Sequence, residues 1–490
     1  MMEAFQVGLA LLIPWLAGTL WVRAWWRDAP PGVWPLAMGY GYLLGSLTAI
    51  LLLRAQAAVG LPMDLGGPLL ILGLLALAGG GLAWRRIPSL PSNCILSGEK
   101  ERYGVWRTGL CILLLLWLGW RFYLLAQEVW LRPLYPWDAW TTWMVRARVW
   151  SELRQWVPFV EPHRWLADAS GSVYTIHAWT YPEAVSLLAL WPTLAFGSWN
   201  ETVAHLPWLG LALALGLGFY GQARCWGVSS LTALIFVWLL LSLPMLETHV
   251  ALAGYADLWL AATFGFATWA FLQWARTRDA WQGWLALLLA LACPWIKREG
   301  LVWILLLMPA ATVVWMPRRY WSWLAGGGAL LAGGWCVTGG WTFTVAGLGE
   351  VWLTPQVLQL PWLGRFELQY HDVWAPVARN LLLLGNWHLF GYLLLAALLA
   401  SLPRIVAEAW RLAGMVLVAA GLLMLFILFF WTEAYLWAEQ YTSINRVFLH
   451  FVPTLLFWAM TVLQSSPLSP FLAREQESAP PERGSAGTNR

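Results

Sequence analysis

Uncharged apolar runs near twenty residues long recur along this chain, separated by short polar breaks. Continuous runs of that length predict transmembrane helices, and the lack of strict alternation argues against a membrane β-barrel. The pattern predicts an all-α polytopic membrane protein with about thirteen spans, near 4–22, 33–53, 66–84, 110–127, 202–220, 228–246, 257–274, 282–297, 300–316, 322–345, 381–402, 412–431 and 446–463. A further apolar segment, 183–198, starts after Pro182 and contains Pro192. At 1.5 Å per residue its sixteen residues reach about 24 Å, short of a hydrocarbon core of about 30 Å.

Arginine placement orients the spans. Arg23, Arg85, Arg86, Arg107, Arg224, Arg276, Arg278, Arg318, Arg319, Arg404 and Arg411 lie in loops that alternate correctly if segment 183–198 enters and leaves on one side. It is therefore expected to be a half-membrane or juxtamembrane helix. The amino terminus is then outside, and two large loops, 128–182 and about 346–380, face outward. The first segment lacks a small-residue cleavage site and reads as a retained helix. The tail from about 464 is rich in Ser, Pro, Glu and Arg and is expected to be disordered.

Composition agrees with this class: 60% of the 490 residues are hydrophobic and 11% charged, with a mean hydropathy of +0.61. The net charge of +4 is small, and no nucleic-acid partner is expected. Five scattered cysteines form no CxxC and suggest neither a disulfide framework nor a zinc site. No Walker A loop, GxGxxG, HExxH or GxSxG elbow occurs in this setting, which disfavours ATP-driven and serine-hydrolase chemistry.

The polar residues that interrupt the outer ends of the spans carry the candidate chemistry. In "YPWDAWTTWMVRARVW", Trp137, Trp140, Trp143, Met144, Ala147 and Trp150 share one broad helical face, and Asp138 lies on the other. This predicts an interfacial helix resting on its tryptophans. Asp138 also reads as a helix N-cap, and Arg146 and Arg148 as contacts to lipid phosphates. Asp257 in "GYADLWLAA" opens a span, again as a carboxylate at a membrane edge or as a cap. Lys297, Arg298 and Glu299 break apolar sequence in "WIKREGLVW", and Arg446 precedes the last span in "INRVFLHF". Carboxylates and cations gathered on one face suit a phosphate-bearing lipid substrate: the cations would hold phosphate, and a carboxylate would take a proton from a nucleophile.

In order and sidedness these elements resemble the C-type fold (GT-C) membrane glycosyltransferases, which include the protein O-mannosyltransferases and the lipid A aminoarabinose transferases. The likeness covers roughly residues 110–463: span 110–127, Asp138 in the first outside loop, "TYPEAVSLLALWP" and Asp257 at the start of a later span. Residues 1–109 would be additional amino-terminal helices. The resemblance implies transfer of a hexose or pentose, with inversion, from a polyprenyl-phosphate donor to a lipid, glycan or protein acceptor outside the cytoplasm. It places the protein in the cell (inner) membrane among membrane lipids. It implies Asp138 as general base, Asp257 as the group that orients the acceptor or holds a divalent ion, and Lys297, Arg298 and Arg446 as ligands of the donor phosphate. Arg146, Glu183, His249 and Glu299 are further candidate contacts. A divalent cation is compatible with these residues and not required by them. A flippase or transporter for lipid-linked glycans, or a polysaccharide ligase or polymerase, are the competing functions; a transporter calls for ionisable groups spread at mid-membrane depth.

The orientation has a direct check. Single cysteines at Asp168 and Asp372 should react with a membrane-impermeant thiol reagent added to intact cells. Labelling that requires access from the cytoplasm would invert the topology.

Overall fold

Inside a bilayer every backbone N–H and C=O must find a partner within the protein, so apolar sequence folds into helix there. The computed structural model describes residues 2–26, 30–86, 104–346, 349–361 and 363–465. The expected disordered tail therefore lies almost wholly outside the described residues.

The chain runs through α1 (Met2–Trp25), α2 (Val33–Ala58), α3 (Gly66–Arg85) and α4 (Val105–Leu131), then α5 (Met144–Leu153), α6 (Pro162–Ala167), α7 (Ala184–Phe196) and α8 (Glu201–Trp226). It continues through α9 (Ser230–Leu241), α10 (Pro244–Ala251), α11 (Asp257–Thr277), α12 (Ala280–Ile296), α13 (Gly300–Trp315) and α14 (Trp321–Thr338). Four strands follow, β1 (Trp341–Val345), β2 (Gly349–Leu353), β3 (Val357–Leu360) and β4 (Gly364–Glu367). The rest is α15 (Trp374–Ala378), α16 (Phe390–Ser401), α17 (Ala409–Trp431), α18 (Tyr435–Glu439), α19 (Ser443–Leu449) and α20 (Val452–Gln464).

The protein is a helical membrane protein. Among the described residues six helices, α1, α2, α3, α4, α8 and α17, are long and apolar enough to cross a bilayer, and up to nine crossings result if each bent pair is one span. The bent pairs are α9 with α10 at 62°, the helical segments 300–315 and 318–338 at 116°, and α19 with α20 at 51°. The thirteen spans expected from sequence exceed this number because several apolar runs fold as short or broken helices. Residues 280–296 and 390–404 are such shorter helices; segment 183–198, set apart from the thirteen, is short as well, with α7 thirteen residues, about 20 Å long. Every residue from Ala184 to Leu194 is buried, with α1, α2, α5 and α8 packed around it.

The fold is helical as expected, with four short strands added after α14. The apolar run 322–345 ends as helix at Thr338, and Gly339 and Gly340 take positive φ of 68° and 116°, a conformation that ends a helix. Beyond them "WTFTV" alternates and is rich in aromatic and β-branched residues, which suits a strand. The four strands form an antiparallel meander in the order β1-β2-β3-β4.

At the centre stands α11. Every residue from Asp257 to Gln273 is buried, and α8, α12, α17 and α20 pack on it. A helix enclosed by protein on all sides needs no apolar lipid face, so it carries Thr263, Thr268 and Gln273 inside. The first three helices join this core. Tyr40 of α2 donates to Gln222 Oε1 (3.0 Å) and to the Phe266 carbonyl (3.1 Å), and Tyr42 donates to the Pro207 carbonyl at 2.9 Å.

Helices α1 and α2 approach through Gly18, Gly41 and Gly45, the last two forming a GxxxG spacing that lets backbones meet. A Cβ on Gly45 would stand 1.9 Å from the Pro14 carbonyl oxygen. Gly45→Leu should therefore destabilise the fold by about 1–3 kcal/mol through overpacking, read as a lowered unfolding temperature in detergent. An unchanged temperature would show that α1 and α2 do not pack this way.

Candidate functional site: a buried carboxylate and its cations

Asp257 is the first residue of α11 and is fully buried. Its side chain caps no helix; both oxygens are taken by groups from distant parts of the chain. Lys297 Nζ donates to Oδ1 at 2.9 Å, and His450 Nε2 lies 2.8 Å from the same oxygen. Arg446 grips Oδ2 through Nε (3.1 Å) and Nη2 (2.9 Å). A buried carboxylate is costly unless it is paired and hydrogen-bonded, and here it is both.

Each partner is delivered by a break in a helix. Lys297 leaves α12 in extended conformation, with φ −152° and ψ 145°. Gly300 then starts α13 in close contact with α12: a Cβ there would stand 2.3 Å from the Cys293 carbonyl. Burial disfavours the Lys297 ammonium, but the carboxylates of Asp257 and Glu299 outweigh it and hold its pKa above the ordinary lysine value. Glu299 Oε1 forms an ion pair with Lys297 Nζ at 3.1 Å and accepts from the Tyr181 hydroxyl at 3.4 Å. Burial and Glu299 push the Tyr181 phenol up to about 12.

Arg446 comes from α19, which is held by Asn445. The Asn445 side-chain oxygen accepts from Asn380 Nδ2 (2.8 Å) and Trp387 Nε1 (2.9 Å). The Arg446 guanidinium lies 4.4 Å above the Tyr255 ring. His450 sits at the bend between α19 and α20, and its Nδ1 receives the Trp303 indole N–H at 3.3 Å. That bond fixes Nε2 as the donor toward Asp257, so a neutral imidazole suffices.

Asp138 completes the group from the first large loop. Its Oδ2 lies 2.6 Å from Arg446 Nη2, and its side chain is 40% exposed. Like Asp257 it forms no cap hydrogen bond, so the N-cap reading fails for both. The helix there opens with a π-helical turn, Ala139–Trp143, before α5. Such turns re-aim side chains and recur at functional sites.

The expected tryptophan face is corrected. Trp143, Met144, Ala147 and Trp150 are buried in the protein, whereas Trp137 and Trp140 are exposed. Helix α5 packs by that face on α7; a lipid-facing and a protein-facing apolar stripe look alike in sequence.

Two candidate contacts lie elsewhere. Arg146 is 2% exposed and donates to the carbonyls of Ala178, Trp179, Tyr181 and Pro182. Its burial lowers its pKa to about 10. It pins the "TYP" turn, which corrects its reading as a lipid or substrate contact. Glu183 pairs with Arg54 at 3.0 Å and accepts from Trp156 at 3.1 Å, tying α7 to α2 rather than facing the cluster. Arg298 donates Nε to the Thr180 carbonyl at 3.1 Å and lies over the Tyr181 ring. It stands beside the cluster without joining it. His249 is buried, with Nδ1 2.8 Å from the Met245 carbonyl and its ring beside Tyr255.

Asp257 itself is corrected. With no exposure and both oxygens bonded, it neither reaches an acceptor nor offers a lone pair to a metal. It is the counter-ion that positions Lys297 and Arg446. Among the described residues no group of three or more His, Cys, Asp or Glu side chains is arranged to hold a metal. Sequence reasoning missed His450 and Trp303. The only signal was spacing: His450 follows Arg446 by four residues, one helical turn along the same face.

Fold and site thus define a helical membrane protein with an ion cluster built from the first loop, α11, the α12–α13 turn and α19. No family model, curated protein or solved structure matches the chain.

Removing the central charge leaves buried Lys297 with Glu299 alone and half-buried Arg446 with Asp138 alone. Asp257→Asn should cost about 3–5 kcal/mol of stability, seen as a large fall in unfolding temperature. Asp257→Asn with Lys297→Met should recover part of that loss. A single variant as stable as the parent would contradict the counter-ion role.

Proposed function

We propose that the protein is a membrane glycosyltransferase that moves a sugar from a polyprenyl-phosphate donor to an acceptor at the extracytoplasmic face of the cell membrane. One observation carries the reading: a half-exposed carboxylate, Asp138, is paired with Arg446, which a buried carboxylate holds beside Lys297. This set joins a base accessible to a hydroxyl with cations suited to a phosphate leaving group.

The valences support it. Lys297 donates one N–H to Asp257 and pairs with Glu299, and an ammonium has three N–H groups to share with a phosphate oxygen. Arg446 spends Nε and Nη2 on the two aspartates, and Nη1 has no partner among the described residues. A donor phosphate arriving there competes with Asp138 for the guanidinium and loosens that carboxylate from its cation. Asp138 then accepts the proton of the acceptor hydroxyl as its oxygen bonds to the anomeric carbon. The bond from that carbon to the phosphate oxygen breaks with its electron pair, and polyprenyl phosphate remains at Lys297 and Arg446. The leaving phosphate is a weak base, so fixed cations do more for it than a proton. Attack from the face opposite the leaving group inverts the anomeric centre.

The test uses purified protein in nanodiscs with a panel of polyprenyl-phosphate hexoses and pentoses and cell-envelope extract as acceptor source. Donor should be consumed and polyprenyl phosphate released. Asp138→Asn should slow release by about 10²–10⁴-fold, the usual worth of a general base, while folding normally. Full activity in that variant would remove Asp138 as base, and an untouched donor panel would overturn the reading.

A further inference from the structure

The meander β1–β4 has two unlike faces. Its register pairs Thr342 with Trp352, Trp352 with Gln359, and Gln359 with Arg365, so these four form one row across the sheet. Alternation places Glu350 on the same face and Phe343, Val351, Leu358 and Phe366 on the other. A row that joins an indole, a carboxamide and a guanidinium is not needed to cover a core.

That polar face bounds a cavity of about 440 Å³ whose lining includes Glu350, Gln359 and Arg365 from the sheet and Arg298 from the turn after α12. Arg298 uses only Nε, on the Thr180 carbonyl; its terminal nitrogens have no hydrogen-bond partner among the described residues. The Arg365 guanidinium lies 5.2 Å from the Trp352 ring centre and has no carboxylate partner among the described residues. Glu350 accepts from the Trp352 indole at 3.1 Å, which leaves its other oxygen free. Arg298 directly follows Lys297, so the same turn lends one side chain to the ion cluster and the next to this cavity.

We propose that the cavity binds the acceptor, and that the acceptor is a saccharide bearing an anionic group, phosphate or carboxylate. This rests on the transferase reading. Two guanidinium forks receive one anion in bidentate fashion. Gln359 and Glu350 supply the amide donors and acceptors, and the carboxylate acceptor, that sugar hydroxyls need. Arg298 then touches acceptor rather than donor, which explains why it stands apart from Asp257.

Equilibrium dialysis of the full-length protein tests this with N-acetylglucosamine 1-phosphate, glucuronic acid, N-acetylglucosamine and inorganic phosphate. At least one anionic sugar should bind about tenfold or more tightly than both the neutral sugar and free phosphate, the worth of one charge-assisted hydrogen bond. The tighter of the two anionic sugars identifies the group. Arg365→Ala and Gln359→Ala, both on the sheet and away from the core, should each weaken that binding about tenfold or abolish it. Glu367→Gln should bind like the parent. Equal binding of neutral sugar or free phosphate, or an Arg365→Ala variant that binds like the parent, would overturn the site. Transfer with an acceptor dependence unchanged by Arg365→Ala would overturn it too and leave the transferase standing. Arg365-dependent binding in a protein that consumes no donor would overturn the transferase and the acceptor role, leaving a saccharide site.

Discussion

The buried carboxylate of Asp257 is the constraint on which the rest of this site depends. It lies at the head of the most enclosed helix, where an unpaired charge is untenable. Satisfying it requires Lys297, Arg446 and His450, contributed by two separate stretches of sequence. The same ion pairs therefore assemble the site and set its charge. Asp138 is added at the exposed edge, through Arg446 alone. The arrangement separates two roles that sequence presents as equivalent. One aspartate is locked and organises cations; the other is accessible and held by a single exchangeable partner.

The supporting shell explains how long, flexible side chains become fixed. Arg146 holds the turn that carries Tyr181 by four backbone carbonyls. Tyr181 in turn meets Glu299 and lies under Arg298. Asn380, Trp387 and Asn445 set the orientation of α19, and Trp303 sets the tautomer of His450. Several of these residues lie where a helix bends or ends. Helix breaks in a membrane protein are tolerable where protein, not lipid, surrounds them.

How much of this was legible in the sequence follows from the same physics. Asp138, Asp257, Lys297 and Arg446 stood out because charge inside apolar sequence is rare and must be explained. Their meeting was suggested by a shared side, not by any pairing signal. His450 and Trp303 were silent, since a histidine and a tryptophan in an apolar run are ordinary core residues. The face of α5 was read as lipid-bound, because Trp143 and Trp150 are equally apolar against lipid or against α7. Segment 183–198 was recognised as too short to span, and α7 is indeed a short helix. The strands were hidden because "WTFTV" continues an apolar run, and only the preceding glycine pair marks the break. Span number agrees in part: hydropathy sees apolar runs and not the bends that join them, and six to nine helices or bent pairs have the length and composition of a span.

We propose that cations organised by Asp257 recognise the phosphate of a polyprenyl carrier. The most direct measurement is equilibrium binding of polyprenyl phosphate and of the uncharged polyprenol to the protein in nanodiscs, with Arg446→Met alongside. The parent protein should prefer the phosphate strongly, and Arg446→Met should lose most of the preference while still binding the isoprenoid chain. Equal affinity of the parent for polyprenol and polyprenyl phosphate would contradict it.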